Sequence, residues 1–279
     1  MTTVSAVGSG LCCTRNSGSR TGSSAGLGHG GARHALGRAS RPWLAAPKWP
    51  ATETAFASFS ATDVTAGIRD RGYHCGLSLP AHLVTDIHRH AEENYYWRNS
   101  RDPERLLIHN VRGGRSPLGK PVAVADVDPS ACPATERIAG DAALVAVAKH
   151  FLGYPPRWVA KRLFWSPMSN LSDGDRRWSG QTIDYHYDIE PANALYVYFY
   201  LTDVDCGGGA HVVVAESHNS KPLRMMFAST RPPERLVLEH YGVDKVVVLK
   251  GKAGSGFFLF PQGLAAATLE SPDAQMRYS

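Results

Sequence analysis

Apolar residues recur at helical spacing in two stretches of this chain and alternate, or run together, in several others. Leu83, Val84, Ile87, Ala91 and Tyr95 fall on one face of a helix beginning at Ser78-Leu79-Pro80, where serine can cap the first turn and proline already has a helical φ. Ile138, Ala142, Val145 and Ala148 mark a second helix from about Thr135 to Phe151, stopped by Gly153 and Pro155-Pro156. Ile108 to Arg115 reads as loop. Further on the period shortens. Trp158 to Trp165, Leu195 to Leu201, Ala210 to Ala215 and Lys245 to Lys250 are rich in β-branched and aromatic residues and bounded by Gly, Pro, Asn and Asp, the pattern of strands. In the second of these, Tyr196, Tyr198 and Tyr200 alternate with Val197 and Phe199, so one face is phenolic and the other apolar. Such phenols either hydrogen-bond an anion or pack between sheets with their hydroxyls reaching solvent or backbone.

Composition bounds what these elements build. With 279 residues and 43% apolar content, the chain can bury a core of one domain. No stretch approaches the roughly 18 consecutive apolar residues of a membrane span. Residues 1–55 are rich in Gly, Ser and Arg without apolar periodicity and are expected to form a disordered extension, leaving 56–279 as the folded domain. The extension is acid-poor like an organellar transit peptide, but nine glycines in the first 50 residues oppose an amphipathic helix; a plain arm or an upstream start fits as well. The formal charge of +5 belongs to this segment: residues 1–52 hold six Lys or Arg and no acid, leaving 24 basic against 25 acidic residues elsewhere. A nucleic-acid surface is therefore not expected. Five cysteines, odd in number and without C-x-x-C spacing, favour a reduced compartment, and a cytoplasmic location is expected, with organellar import by the extension as the alternative.

The candidate chemistry lies in Gln181-Thr-Ile-Asp-Tyr-His-Tyr-Asp-Ile-Glu190. His186 and Asp188 stand two apart before an aromatic strand, and side chains at i and i+2 of an extended segment share a face. One imidazole and one carboxylate thus converge on one volume, as in the two-His-one-carboxylate sites of non-haem Fe(II) oxygenases. His82, His88 and His90 lack ligand spacing on their helix and read as surface imidazoles.

The order of segments extends this. Lys161-Arg-Leu-Phe-Trp165, the H-x-D pair, the aromatic strand, Leu201-Thr-Asp-Val-Asp205, Gly207-Gly-Gly209, His211 to His218 and Lys250 to Phe258 together resemble the phytanoyl-CoA dioxygenase family of Fe(II)/2-oxoglutarate oxygenases, over roughly residues 65 to 258. The resemblance implies a mainly β double-stranded β-helix, or jelly roll, braced by helices. It implies Fe(II) held by His186 and Asp188, and 2-oxoglutarate as co-substrate with Gln181 and Lys161 lining its pocket and Trp165 beside them. Arg277 would pair with its distal carboxylate. The implied reaction uses O2 to decarboxylate 2-oxoglutarate to succinate and CO2 and to hydroxylate a C–H bond of a small organic or acyl substrate. His218 would be structural, in the family's G-S-H turn.

One departure bears on activity. No histidine follows His240, and if Arg277 is the co-substrate arginine, the second iron histidine of the family falls near Ala265, Ala266 or Ala267. Alanine binds no metal, Ala265-Ala-Ala-Thr is a poor strand former, and only two residues follow Arg277. The expectation is that the family's ending is lost after about Phe258, in the last 21 residues. The chain is then either an oxygenase impaired at its distal ligand or a jelly-roll remnant that acts as a binding module or is a defective gene product.

Overall fold

A computed structural model describes residues 2–12, 53–99, 102–156, 159–167, 169–188, 194–206, 208–228 and 230–267. Four helices bank on one side: α1 (Ala61–Arg71), α2 (Ala81–Glu93), α3 (Pro133–Ala139) and α4 (Ala142–Leu152). α1 begins where the Ser60 side chain accepts from the Asp63 N–H and ends at Gly72, left-handed with φ 88°. The single helix expected over 135–151 is two. Gly140 closes α3, and Asp141 opens α4 by accepting from the Ala143 and Leu144 N–H groups. Its other oxygen accepts from Ala55 N–H at 2.7 Å, tying the segment before α1 to this corner. α2 starts after Pro80 with no side-chain cap, because Ser78 is the last residue of a strand, β2 (Tyr73–Ser78).

Eleven strands among the described residues form two sheets. β1 (Thr2–Cys12), β2, β3 (Tyr96–Asn99), β4 (Asp102–Leu106), β5 (Ala125–Val127), β6 (Ala160–Pro167), β7 (Ala194–Tyr200) and β10 (Ser255–Leu259) make the larger, in the order β2-β10-β7-β1-β6-β5-β3-β4. β8 (His211–Val214), β9 (Val246–Leu249) and β11 (Ala265–Ala267) make the smaller, in the order β11-β8-β9. Every pairing is antiparallel. The fold is mainly β with flanking helices, a double-stranded β-helix, as expected.

Strand alternation sorts the core. Leu195, Val197 and Phe199 of β7 join Leu163, Trp165 and Phe258 beneath the helices, against Ile68, Leu83, Ile87 and Val147. Tyr200 on the other face packs between the sheets with Val213, Leu249, Phe257, Leu259 and Ala265, and Tyr196 and Tyr198 lie against this cluster. A third cluster, Tyr185, Val212, Val214, Leu264 and Ala266, covers the outer side of the small sheet with Val237 of α6 (Glu234–Tyr241). β7 and β10 approach so closely that a Cβ at Gly256 would lie 2.4 Å from Phe199 Cδ1.

At both ends the structure holds strand where none was expected. Regular sheet continues past Phe258: β10 runs to Leu259, and Ala265–Ala267 pairs with Val213, Val212 and His211. Tertiary pairing overrides alanine's weak strand preference, because β8 offers backbone partners whatever the side chain. Within the extension expected over 1–55, Thr2–Cys12 forms β1, inserted between β6 and β7, with which it shares a register break after Val7. The remainder of that segment, residues 13–52, lies outside the described residues.

Candidate functional site

The segment carrying the H-x-D pair is held from both ends. Upstream, helix α5 (Asp173–Trp178) starts where the Ser172 side chain accepts from the Asp175 N–H. Its Arg176, 3% exposed, donates to Leu171 O at 3.1 Å, Ser169 O at 2.8 Å and Gln181 Oε1 at 3.1 Å. Arg177 grips Asp184 with two 2.8 Å bonds, and this hydrogen-bonded guanidinium holds the Asp184 carboxyl below the usual range. Downstream, Asp188 N–H donates to Pro261 O at 3.0 Å. Between these anchors Ile183 and Tyr185 are buried, while His186 and Asp188 line a cavity of about 600 Å³ between the sheets.

The proton positions follow from the partners. His186 Nδ1 lies 3.1 Å from Asp184 O, a carbonyl that can only accept, so Nδ1 carries a hydrogen and, in the neutral ring, Nε2 holds the lone pair. Asp188 Oδ2 accepts from the Tyr196 hydroxyl at 3.1 Å. The carbonyl fixes the imidazole's tautomer and the phenol steadies the carboxylate, as outer hydrogen bonds do for ligands in metal sites.

The phenolic face of β7 is thus divided among partners. Tyr196 serves Asp188, and Tyr200 donates to Leu249 O at 2.8 Å while accepting the His211 N–H at 3.0 Å. With its own proton on Leu249, the Tyr200 oxygen accepts again from His211 Nδ1 at 3.2 Å, leaving Nε2 of His211 with a lone pair. His211 lines the same cavity, packed against Tyr198 and Phe257. Burial, and secondarily the nearby His186, hold its pKa down at about 4, so it is neutral at physiological pH. Burial pushes the Tyr198 hydroxyl well above its ordinary value, and the Asp188 charge adds to this.

The other residues singled out in the sequence scatter. Gln181 lines the cavity, accepting from Arg176 and donating to Ser166 Oγ at 3.4 Å. Lys161 reaches the cavity edge, but its ammonium is paired with Glu136 of α3. Trp165 points to the helices, donating to Ala91 O at 3.0 Å. Arg277 lies outside the described residues. His218 is bonded to Arg69 O at 2.9 Å, where the turn after β8 docks on the end of α1. Sequence reading missed Arg162, which lines the cavity while paired with Asp126 at 2.6 Å. It also missed Arg176 and Arg177, whose signal was the Ser172-Asp-Gly-Asp cap opening a helical turn that ends in two arginines.

These donors do not amount to a complete metal set. His186 and Asp188 converge, but position 265, which faces them, is alanine, and among the described residues no group of three His, Cys, Asp or Glu side chains is placed to hold a metal ion.

No protein-family model matches the chain, and no curated protein matches it in sequence. Solved structures resemble it in fold. EctD from S. alaskensis with 2-oxoglutarate and 5-hydroxyectoine is 18% identical, with 80% of this chain and 76% of that chain covered at a TM-score of 0.51. EctD from the same organism with bound Fe is 17% identical, with 83% and 77% covered at 0.50. The non-heme alpha ketoglutarate dependent epimerase SnoN from nogalamycin biosynthesis is 18% identical, with 76% and 78% covered at 0.47. The two EctD structures share this chain's jelly-roll architecture.

Proposed function

We propose that the cavity between the sheets is the pocket of a non-haem Fe(II)/2-oxoglutarate dioxygenase for a small organic or acyl substrate, related to the phytanoyl-CoA dioxygenases and weakened by loss of one metal ligand. The observation that carries this is the convergence of the His186 Nε2 lone pair and the Asp188 carboxylate on one cavity. Its wall suits a small acid, with Ser166, Gln181 and Thr182 as hydrogen-bonding groups and Arg162 and Arg231 as cations. The EctD structures support the reading through fold, and one of them contains 2-oxoglutarate. In this chain His186 and Asp188 bind, Tyr196 orients the carboxylate, and Gln181 shapes the pocket under Arg176.

The alternative, a jelly-roll binding module without turnover, draws support from Ala265. One experiment separates them. Under anaerobic conditions, Fe(II) with 2-oxoglutarate is expected to give a weak visible charge-transfer band that His186→Ala abolishes. A band unchanged by that substitution refutes the proposed donor pair, and binding of 2-oxoglutarate without any band favours the module.

A further inference from the structure

The charged groups on the described cavity wall leave one carboxylate over. Lys161 is paired with Glu136, Arg162 with Asp126, and Arg231 lies close enough to Asp184 to help hold its carboxyl low. Asp188 is placed differently: its Oδ2 accepts from the neutral Tyr196 hydroxyl, and no Lys or Arg among the described residues forms an ion pair with it. A half-buried carboxylate without a counter-charge costs free energy that an incoming cation relieves. Around it the wall is rich in electron pairs. The Tyr196 and Tyr198 rings stand at 79° to one another with centroids 6.1 Å apart, a corner of two phenol rings, and Asp188 is near enough for its charge to raise the Tyr198 hydroxyl pKa. His211, whose ring centroid lies 4.6 Å from that of Tyr198, keeps a lone pair on Nε2 because its Nδ1–H is given to Tyr200.

Asp188, His186 and His211 line one cavity, yet among the described residues they are not grouped closely enough to hold a metal ion. A planar organic cation reaches groups that a single ion cannot bring together, because its charge and its N–H donors are spread over its whole plane. Guanidinium presents those donors in a fixed fork that matches a carboxylate, stacks on aromatic faces and is weakly hydrated, whereas an alkylammonium is a compact, strongly hydrated point charge and makes the poorer occupant. We propose that this end of the cavity binds a small organic cation of the guanidinium class, with one edge on Asp188, its plane against the Tyr196–Tyr198 corner and a remaining N–H on His211 Nε2. This goes beyond the oxygenase reading and needs no metal; Asp188 is the group for which the two occupants would compete.

The test uses the full chain with chelator present, so that metal plays no part, and calorimetric titration with n-butylguanidinium, n-butylammonium and n-butanol. n-Butylguanidinium is expected to bind about tenfold or more tighter than n-butylammonium, with n-butanol giving no measurable binding. Asp188→Asn is expected to weaken n-butylguanidinium by about tenfold or more, and His211→Phe, which keeps the ring packing, by a smaller factor. Should Asp188→Asn fail to fold, His211→Phe and the three probes on the unmodified chain decide. Absence of n-butylguanidinium binding, equally tight binding of n-butylammonium or n-butanol, or an affinity unchanged by the substitutions overturns the inference. The Fe(II) charge-transfer band is recorded without these cations, so its failure removes the oxygenase reading alone, and failure of cation binding leaves that reading standing.

Discussion

His211 makes the pocket's electrostatics measurable through folding. Its ring is neutral in the native state because burial holds the pKa at about 4, against 6.5 for an ordinary imidazole. Because the native pKa is depressed, the unfolded chain binds the proton first as pH falls, and folding loses stability between those two values. Above 6.5 both states are neutral and the residue contributes no pH dependence. Linkage across that interval gives a penalty of about 2 kcal/mol at about pH 5, approaching about 3 kcal/mol at lower pH. Because His211 is half-buried and lines a cavity, that penalty is discounted for solvent screening, and a difference of about 1–2 kcal/mol at about pH 5 is the expected result. The perturbation is His211→Phe, which preserves contact with Tyr198 and Phe257, leaves the backbone N–H on Tyr200, and removes the titrating group. Urea unfolding followed by tryptophan fluorescence at about pH 7.5 and about pH 5 gives the stability of each form. Carboxylates such as Asp184 titrate in both proteins and cancel in the comparison. The variant should lose less stability than the parent on acidification. Parallel losses would refute the reasoning, since they would mean that His211 takes up its proton in the folded protein as readily as in the unfolded one.

Arg176→Met should cost about 3–5 kcal/mol in urea unfolding, because it strands the Ser169 and Leu171 carbonyls and Gln181 Oε1 in a buried site; a cost under about 1 kcal/mol would show that water replaces the guanidinium. Glu216 has φ 64°, the positive-φ non-glycine among the described residues, and pairs with Lys245 at the surface. Glu216→Gly should raise stability by about 0.5–1 kcal/mol, since relief of left-handed strain outweighs an exposed ion pair; a lower melting temperature would reverse that ranking. Deleting residues 2–12 removes the strand that bridges β6 and β7 and should lower the midpoint of thermal unfolding by more than about 5 °C. An unchanged midpoint would show that the sheet does not depend on β1.

The convergence of His186 and Asp188 was legible because it is local. His186 and Asp188 are two residues apart, and an extended backbone puts them on one face whatever lies around them. The strands at 195–201 and 210–215 were legible for the same reason, their composition and alternation being properties of a short window. The break at Gly140-Asp141 was also present in the chain, but the apolar period running across it masked a glycine stop followed by an aspartate cap. Lys161 is settled by partners distant in the chain. On a strand its neighbours decide its role, and the partner that engages its ammonium, Glu136, comes from a helix 25 residues earlier. Tyr196, Tyr198 and Tyr200 were read as one phenolic face, yet the fold gives Tyr196 to a carboxylate and Tyr200 to a backbone carbonyl and a histidine.

The sequence by itself determined the jelly-roll class, the convergence of one imidazole with one carboxylate, and the want of a histidine after His240. It could not choose among Ala265, Ala266 and Ala267, because three identical side chains carry no record of facing. The tertiary structure made that choice through register: two backbone hydrogen bonds pair Ala265 with His186, and the period of two then turns Ala266 away. Nor could it foresee that a run of alanines would form a strand or that the segment from Thr2 to Cys12 would join a sheet. Both outcomes depend on backbone partners supplied by β8, β6 and β7, and such partners exist only once the chain has folded.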